Sequence, residues 1–222
     1  MTRRSWDGAT YDRVGLPQLE WGRVVLERLP LHGDETVLDA GCGSGRVTEL
    51  LLARLPRGRV IAVDGSASML AAARERLGAP DRVTFLEQDL LQLDLGDERV
   101  DAMLSTATFH WIHDHRALFR RLHAVLRPGG RLVAQCGGRG NLDRVLAEAT
   151  QVMGEEPYAD FFADWRDPHR FADAAETEHL LDEAGFAMRR AWLEDAPVIP
   201  PEPAVFLGSV ILGGHCDALP EA

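Results

Sequence analysis

VLDAGCGSG, residues 37–45, decides how this chain folds. A short apolar run ends in Asp39, and glycines follow at alternate positions, Gly41, Gly43 and Gly45. An apolar run without alternation reads as a strand buried on both faces. Glycine adopts positive φ and has no Cβ, so it lets a ligand or a neighbouring segment approach the backbone closely. Helical spacing resumes at once, because residues 44–55 put Val47, Leu50, Leu51 and Leu55 on one face. A strand, a bare turn and a helix in this order aim free helix N–H groups past the strand's carboxyl end, toward any anionic group bound there. The same loop also suits a tight turn without a ligand, and the stretch alone does not separate the two.

Working outward, the same rhythm repeats. Residues 35–40, 58–64, 82–89, 99–105 and 130–136 are short and β-rich, and turn signals bound them. Helical stretches lie between them at 66–77, with Ser66 as N-cap, and at 115–126, ahead of Pro128 and two glycines. This alternation predicts an α/β fold: a three-layer, doubly wound, mostly parallel sheet with helices on both faces. An added helix is expected at 16–29, further helices at 141–153 and 175–186, and a sixth strand within 188–200. Residues 204–214 read as helix rather than strand, so the seventh strand of such a sheet is expected to be missing or incomplete. The expected layout is a single structural domain. It has an N-terminal helical cap segment (1–34), a core (35–137) and a C-terminal half (138–222) with a cap-like aromatic insert at about 154–173.

Composition narrows the function. Hydrophobic residues make up 45% and charged residues 27%, as in soluble enzymes. The net charge of −11 repels a phosphate backbone, so nucleic acid is not an expected partner. No run is apolar enough to span a membrane, and the first residues lack the apolar stretch of a secretory signal. Three scattered cysteines without a CxxC point to a reducing cytoplasm rather than a disulfide or zinc scaffold.

Three successive strands end in aspartates at one sheet edge: Asp39, Asp64 and Asp89. An acidic side chain ending strand 2 suits the two hydroxyls of a ribose. The loop is not the dinucleotide GxGxxG type, since Arg46 stands where its last glycine would, and no GxxxxGK[ST] occurs. With VLDAGCGSG, AVDGSASML, LEQDLLQL and LRPGGRLVA in order over residues 35–136, the chain resembles the class I S-adenosylmethionine-dependent methyltransferases. YDRVGLPQLEWG and ATFHWIHDH resemble the narrower branch of trans-aconitate methyltransferase-like enzymes acting on small molecules.

The resemblance implies S-adenosyl-L-methionine as cofactor. It implies that Asp39, Gly41, Cys42 and Gly43 surround its methionyl end and that Asp64, Gly65 and Ser66 hold its ribose. Met69 would cover the adenine, Asp89 and Leu90 would read its edge, and Ser105 and Thr106 would bring carbonyls near the sulfonium.

The segment after strand 4, STATFHW, lacks the [ND]PP[YF] motif of many amine methyltransferases. Amine methylation is therefore disfavoured, and a small-molecule acceptor with a carboxylate or hydroxyl oxygen is favoured; a non-methylating cofactor binder of the same fold and a protein methyltransferase stay open as alternatives. Trp6, Tyr11, Phe109, Trp111, Phe162 and Trp165 are candidates for an aromatic acceptor wall, and equally for plain core packing. His110 is the titratable residue placed to act as base or to position the acceptor. His110, His113, Asp114 and His115 lead into a regular helix and read as a capping turn, so no metal is expected. The chain is expected to be a monomer or a homodimer.

Overall fold

The structure, a computed structural model, describes residues 16–78, 81–200 and 202–220. After helix α1 (Leu16–Arg28) come β1 (Thr36–Ala40), α2 (Arg46–Arg54), β2 (Arg59–Asp64), α3 (Ala67–Leu77), β3 (Val83–Glu87) and β4 (Val100–Thr106). Then follow α4 (His115–Val125), β5 (Leu126–Gln135), α5 (Asp143–Met153), α6 (Ala159–Phe162) and α7 (Ala174–Ala184). Two short helices, α8 (Pro203–Phe206) and α9 (Gly213–Cys216), flank a π-helical turn, Leu207–Ile211.

The five strands pair in the order β3-β2-β1-β4-β5, and every pairing is parallel. Successive residues of one strand feed opposite layers, as the two-residue period of a strand requires. On β1, Leu38 and Ala40 pack with Leu118 and Leu122 of α4 and Leu180 of α7, whereas Val37 packs with Val25 and Leu29 on the α1 side and with Leu51 of α2. The chain runs β1, β2, β3 outward in one direction and then crosses back to β4 and β5. The order therefore reverses between β1 and β4, and a crevice opens at the carboxyl ends of these strands.

Local chemistry explains the helix starts. The Ser66 hydroxyl accepts the Met69 N–H, Asp114 accepts the Ala117 N–H, and Asp173 accepts the Glu176 N–H. The HDH segment thus serves as a cap, and the buried His115 ring bonds the Phe109 carbonyl oxygen through Nε2 at 3.0 Å.

Two expectations change. Strand β5 begins at Leu126, ahead of 130–136, because the Pro128-Gly129-Gly130 turn is carried as an irregularity in its pairing with β4. Residues 188–200 do not form a sixth strand. Met188 is 93% exposed and Ile199 95%, so their apolar side chains find no sheet layer to enter, and the prolines at 197 and 200 cannot donate to a ladder. Among the described residues there is no seventh strand either, and β5 pairs only with β4. Among the described residues no helix is long and apolar enough to cross a membrane.

Candidate functional site

A cleft of about 1750 Å³ lies at the carboxyl ends of β1, β2 and β4. Its floor is the glycine turn between β1 and α2, residues 41–45. Gly41, Gly43 and Gly45 all have positive φ, each for a different reason. A Cβ on Gly41 would sit 2.2 Å from Oγ1 of Thr108, so the strand 4 loop needs that space. A Cβ on Gly45 would press on Ala73 of α3 at 3.1 Å. A Cβ on Gly43 would meet nothing within 4 Å. Gly43 is the glycine that leaves room on the cleft side.

Asp64 stitches this floor together. One carboxylate oxygen accepts the Gly43 N–H and the other the Ser66 N–H, both at 2.9 Å. Beneath the turn, Asp39 is buried and accepts the Thr48 hydroxyl at 2.7 Å. Burial lifts its pKa to about 7 against the pull of Thr48, and the nearby Asp64 charge adds to the rise. Asp89 caps the short 3₁₀ turn Leu90–Gln92 by accepting the Leu91 N–H at 2.9 Å.

The opposite wall comes from β4's loop and the late insert. Ala107 takes a positive φ of 54°, an uncommon conformation for alanine, just where the chain leaves the sheet. The 3₁₀ turn Phe109–Trp111 then swings His110 and Trp111 to the cleft. Nδ1 of His110 accepts the Gly137 N–H at 3.1 Å. A nitrogen that accepts carries no proton, so the neutral ring holds its hydrogen on Nε2. Burial, with His169 and His115 nearby, pushes the His110 pKa down to about 3. Burial also lifts the neighbouring Cys136 thiol to about 11, so it stays protonated.

Of the residues singled out in the sequence, Gly41, Gly43, Asp64, Gly65, Ser66, Met69, Asp89, Leu90, Thr106, His110, Trp111 and Trp165 line the cleft. Others lie elsewhere. Cys42 packs in the core beside Val37. Ser105 is buried and gives its hydroxyl to the Ala40 carbonyl at 2.6 Å, tying β4 to β1. Phe109 is a core residue set edge-on to Phe119 at 6.0 Å, not an acceptor wall. Phe162 stands behind Trp165, edge to face at 5.8 Å. Trp6 and Tyr11 lie outside the described residues.

Sequence reasoning passed over Thr108, Gln135 and His169, which also line the cleft. Only the Asp-Pro-His run at 167–169 carried a local signal, since an aspartate two residues ahead commonly caps a backbone N–H.

Residues 37–130 match a family described as methyltransferase domain. The chain is 33% identical to a trans-aconitate 2-methyltransferase of Methylobacterium nodulans over 192 residues, covering 86% of this chain and 68% of that protein.

The chain belongs to the class I S-adenosylmethionine-dependent methyltransferases. Within them it falls in the trans-aconitate methyltransferase branch, since the enzymes so named from Paracidovorax citrulli and Variovorax paradoxus are each 38% identical to it. The alignments span 67% of the first and 49% of the second, so the chain corresponds to about half to two thirds of the length of these relatives. Among solved structures, a methyltransferase in complex with the Haloferax volcanii Trm112 activator superposes with a TM-score of 0.64 at 21% identity. That likeness covers 83% of this chain and 77% of the other, and it speaks to the fold.

Proposed function

We propose that this chain transfers the methyl group of S-adenosylmethionine to a carboxylate oxygen of a small polycarboxylic acid of the trans-aconitate kind. The observation that carries the reading is the two-sided cleft, with a stitched glycine floor on one side and a wall of imidazole and indole rings on the other. The floor fits the cofactor. Gly43 leaves open space, and Thr106 Oγ1 and Gln135 Oε1, register neighbours at the ends of β4 and β5, are buried without partners among the described residues. Those two atoms are polar groups that a bound ligand would satisfy. Asp64 and Asp89 line the cleft with carboxylates suited to the ribose hydroxyls and the adenine edge, Met69 adds an apolar surface, and buried Asp39 braces the turn beneath through its bond with Thr48.

Bound there, the cofactor supplies an electrophilic methyl on a cationic sulfur. A carboxylate needs no base to attack it, so this chain's task is to hold the acceptor in line and keep water out. His110 suits that task as a donor. Its Nε2–H addresses an acceptor oxygen, while the Gly137 N–H bond and the depressed pKa oppose a role as proton acceptor. Trp111 and Trp165 wall the acceptor side, with residues 154–173 as its cap. The expected setting is the cytoplasm, with no nucleic-acid partner and a monomeric or homodimeric enzyme.

The test is methyl transfer from labelled cofactor to a panel of di- and tricarboxylic acids, read as ester product by mass spectrometry. Ester on a polycarboxylic acid is expected. His110→Ala is expected to raise the acceptor's KM more than it lowers kcat, with affinity for S-adenosylhomocysteine kept. Transfer only to amines or phenols would overturn the assignment.

A further inference from the structure

The late insert brings a second histidine to the cleft. Residues 164–172 are strapped across the strand 4 loop: Arg170 donates its N–H to the His110 carbonyl at 2.8 Å and a guanidinium N–H to the His113 carbonyl at 2.7 Å. Farther along, the Arg139 N–H reaches the Ala172 carbonyl at 3.0 Å. The strap stacks His169 on Phe171, with ring centres 5.3 Å apart, and sets it 4.4 Å from the Trp111 ring. His169 is 9% exposed, its side chain 3%, and it lines the cleft.

Asp167 sets the ring's tautomer. One carboxylate oxygen accepts both the His169 N–H, at 2.8 Å, and Nδ1, at 2.7 Å. An ionised carboxylate only accepts, so Nδ1 carries a hydrogen and the neutral ring's lone pair is on Nε2. No hydrogen bond engages Nε2 among the described residues. This is the reverse of His110, whose lone pair is committed to Gly137. The two rings stand 6.2 Å apart, one offering a donor and the other an acceptor. The charged and titratable groups around His169 are Asp167, His110, the adjoining Arg166 and Arg170, and His215 of α9. Arg170 is engaged with Glu176. Of the three imidazoles, His169 has a carboxylate on its ring, so it can hold a proton without leaving an isolated buried charge.

We propose that His169, oriented by Asp167, is a second acceptor-binding residue beside His110, with Nε2 holding a proton against a carboxylate of the acceptor. This rests on the polycarboxylate reading above and adds a second residue that recognises the acid. If the acid arrives protonated, its O–H bond breaks, an N–H bond forms at Nε2, and the electron pair stays on the acceptor oxygen. If it arrives ionised, the proton that forms the N–H bond at Nε2 is released by the buffer acid in solution, which is left as its conjugate base. Either way Asp167 balances the imidazolium, and an anionic acceptor is held in a protein whose net charge of −11 would otherwise repel it.

Calorimetry of trans-aconitate binding to the protein loaded with S-adenosylhomocysteine tests this. Titrations run in two buffers of different ionisation enthalpy count the protons taken up. The wild type is expected to take up protons on binding at mildly alkaline pH. His169→Gln should bind about ten- to a hundredfold more weakly without proton uptake, as for a lost charge-assisted bond. Asp167→Asn, a change at a part-exposed side chain, should fall between them. Unchanged S-adenosylhomocysteine affinity in both variants verifies their fold. Wild-type affinity and proton uptake in His169→Gln would overturn this inference and leave the polycarboxylate reading standing. A wild type that binds no carboxylate overturns both.

Discussion

At the scale of single residues, the carboxylates of the floor do two jobs at once. Asp64 holds the glycine turn through two backbone N–H groups and faces the cleft. Asp64→Ala should therefore weaken S-adenosylhomocysteine binding about ten- to a hundredfold and also cost about 1–3 kcal/mol of stability. Calorimetric titration and thermal unfolding measure the two losses, and unchanged affinity would remove Asp64 from the cofactor site.

Two buried groups bend the pH dependence of stability in opposite directions. Asp39, raised to about 7, holds its proton in the folded state where the unfolded chain has lost it, so its contribution falls as pH rises from about 4 to 7. His110, lowered to about 3, stays neutral where the unfolded chain is charged, so its contribution rises between about 3 and 6.5. Wild type relative to Asp39→Asn should lose stability across that interval, and relative to His110→Asn should gain it, each by a few kcal/mol at most. Denaturant unfolding at pH 4.5, 6 and 7.5 gives both differences, and parallel curves for wild type and Asp39→Asn would refute the buried-carboxylate account.

At the scale of elements, the glycine turn separates folding from binding. Gly41→Ala puts a Cβ into Thr108 at a left-handed position, at a cost of about 2–5 kcal/mol from overpacking and backbone strain together. Thr108→Ala should recover part of that loss. Gly43→Ala bears only the backbone strain, about 1–2 kcal/mol, yet its methyl enters the cleft, so cofactor-product binding should fall while the fold persists. Thermal unfolding beside calorimetry distinguishes the pair, and equal melting temperatures for the two variants would refute the division.

The glycines themselves were legible in the sequence, but the partner of each was not. Thr108 lies 67 positions from Gly41 and meets it only because β4 returns beside β1. The same limit explains residues 188–200. Their composition resembles a strand, but a strand also needs a neighbour to pair with and a layer to enter, and here Met188, Trp192 and Leu193 remain largely exposed.

At the scale of the whole molecule, two layers of helices hold a parallel sheet whose order reverses at β1 and β4, and the cleft follows from that reversal. A satellite cluster of Phe206, Val210 and Ile211 with Leu142 and Val145 joins the chain's end to α5, and these residues, outside the sheet core, also line the cleft. The sequence by itself determined the alternation of strands and helices, the turn at 41–45 and the aspartates at or near the carboxyl ends of β1, β2 and β3, because each depends on neighbours within a few positions. Tertiary structure alone decided which rings meet across the cleft. His110 draws its tautomer from Gly137, Phe109 is a core residue while Trp111 is a wall, and the strap carries His169 to within 6.2 Å of His110. Those pairings join segments tens of residues apart, and they exist only once the sheet has set its edge and the insert has packed across it.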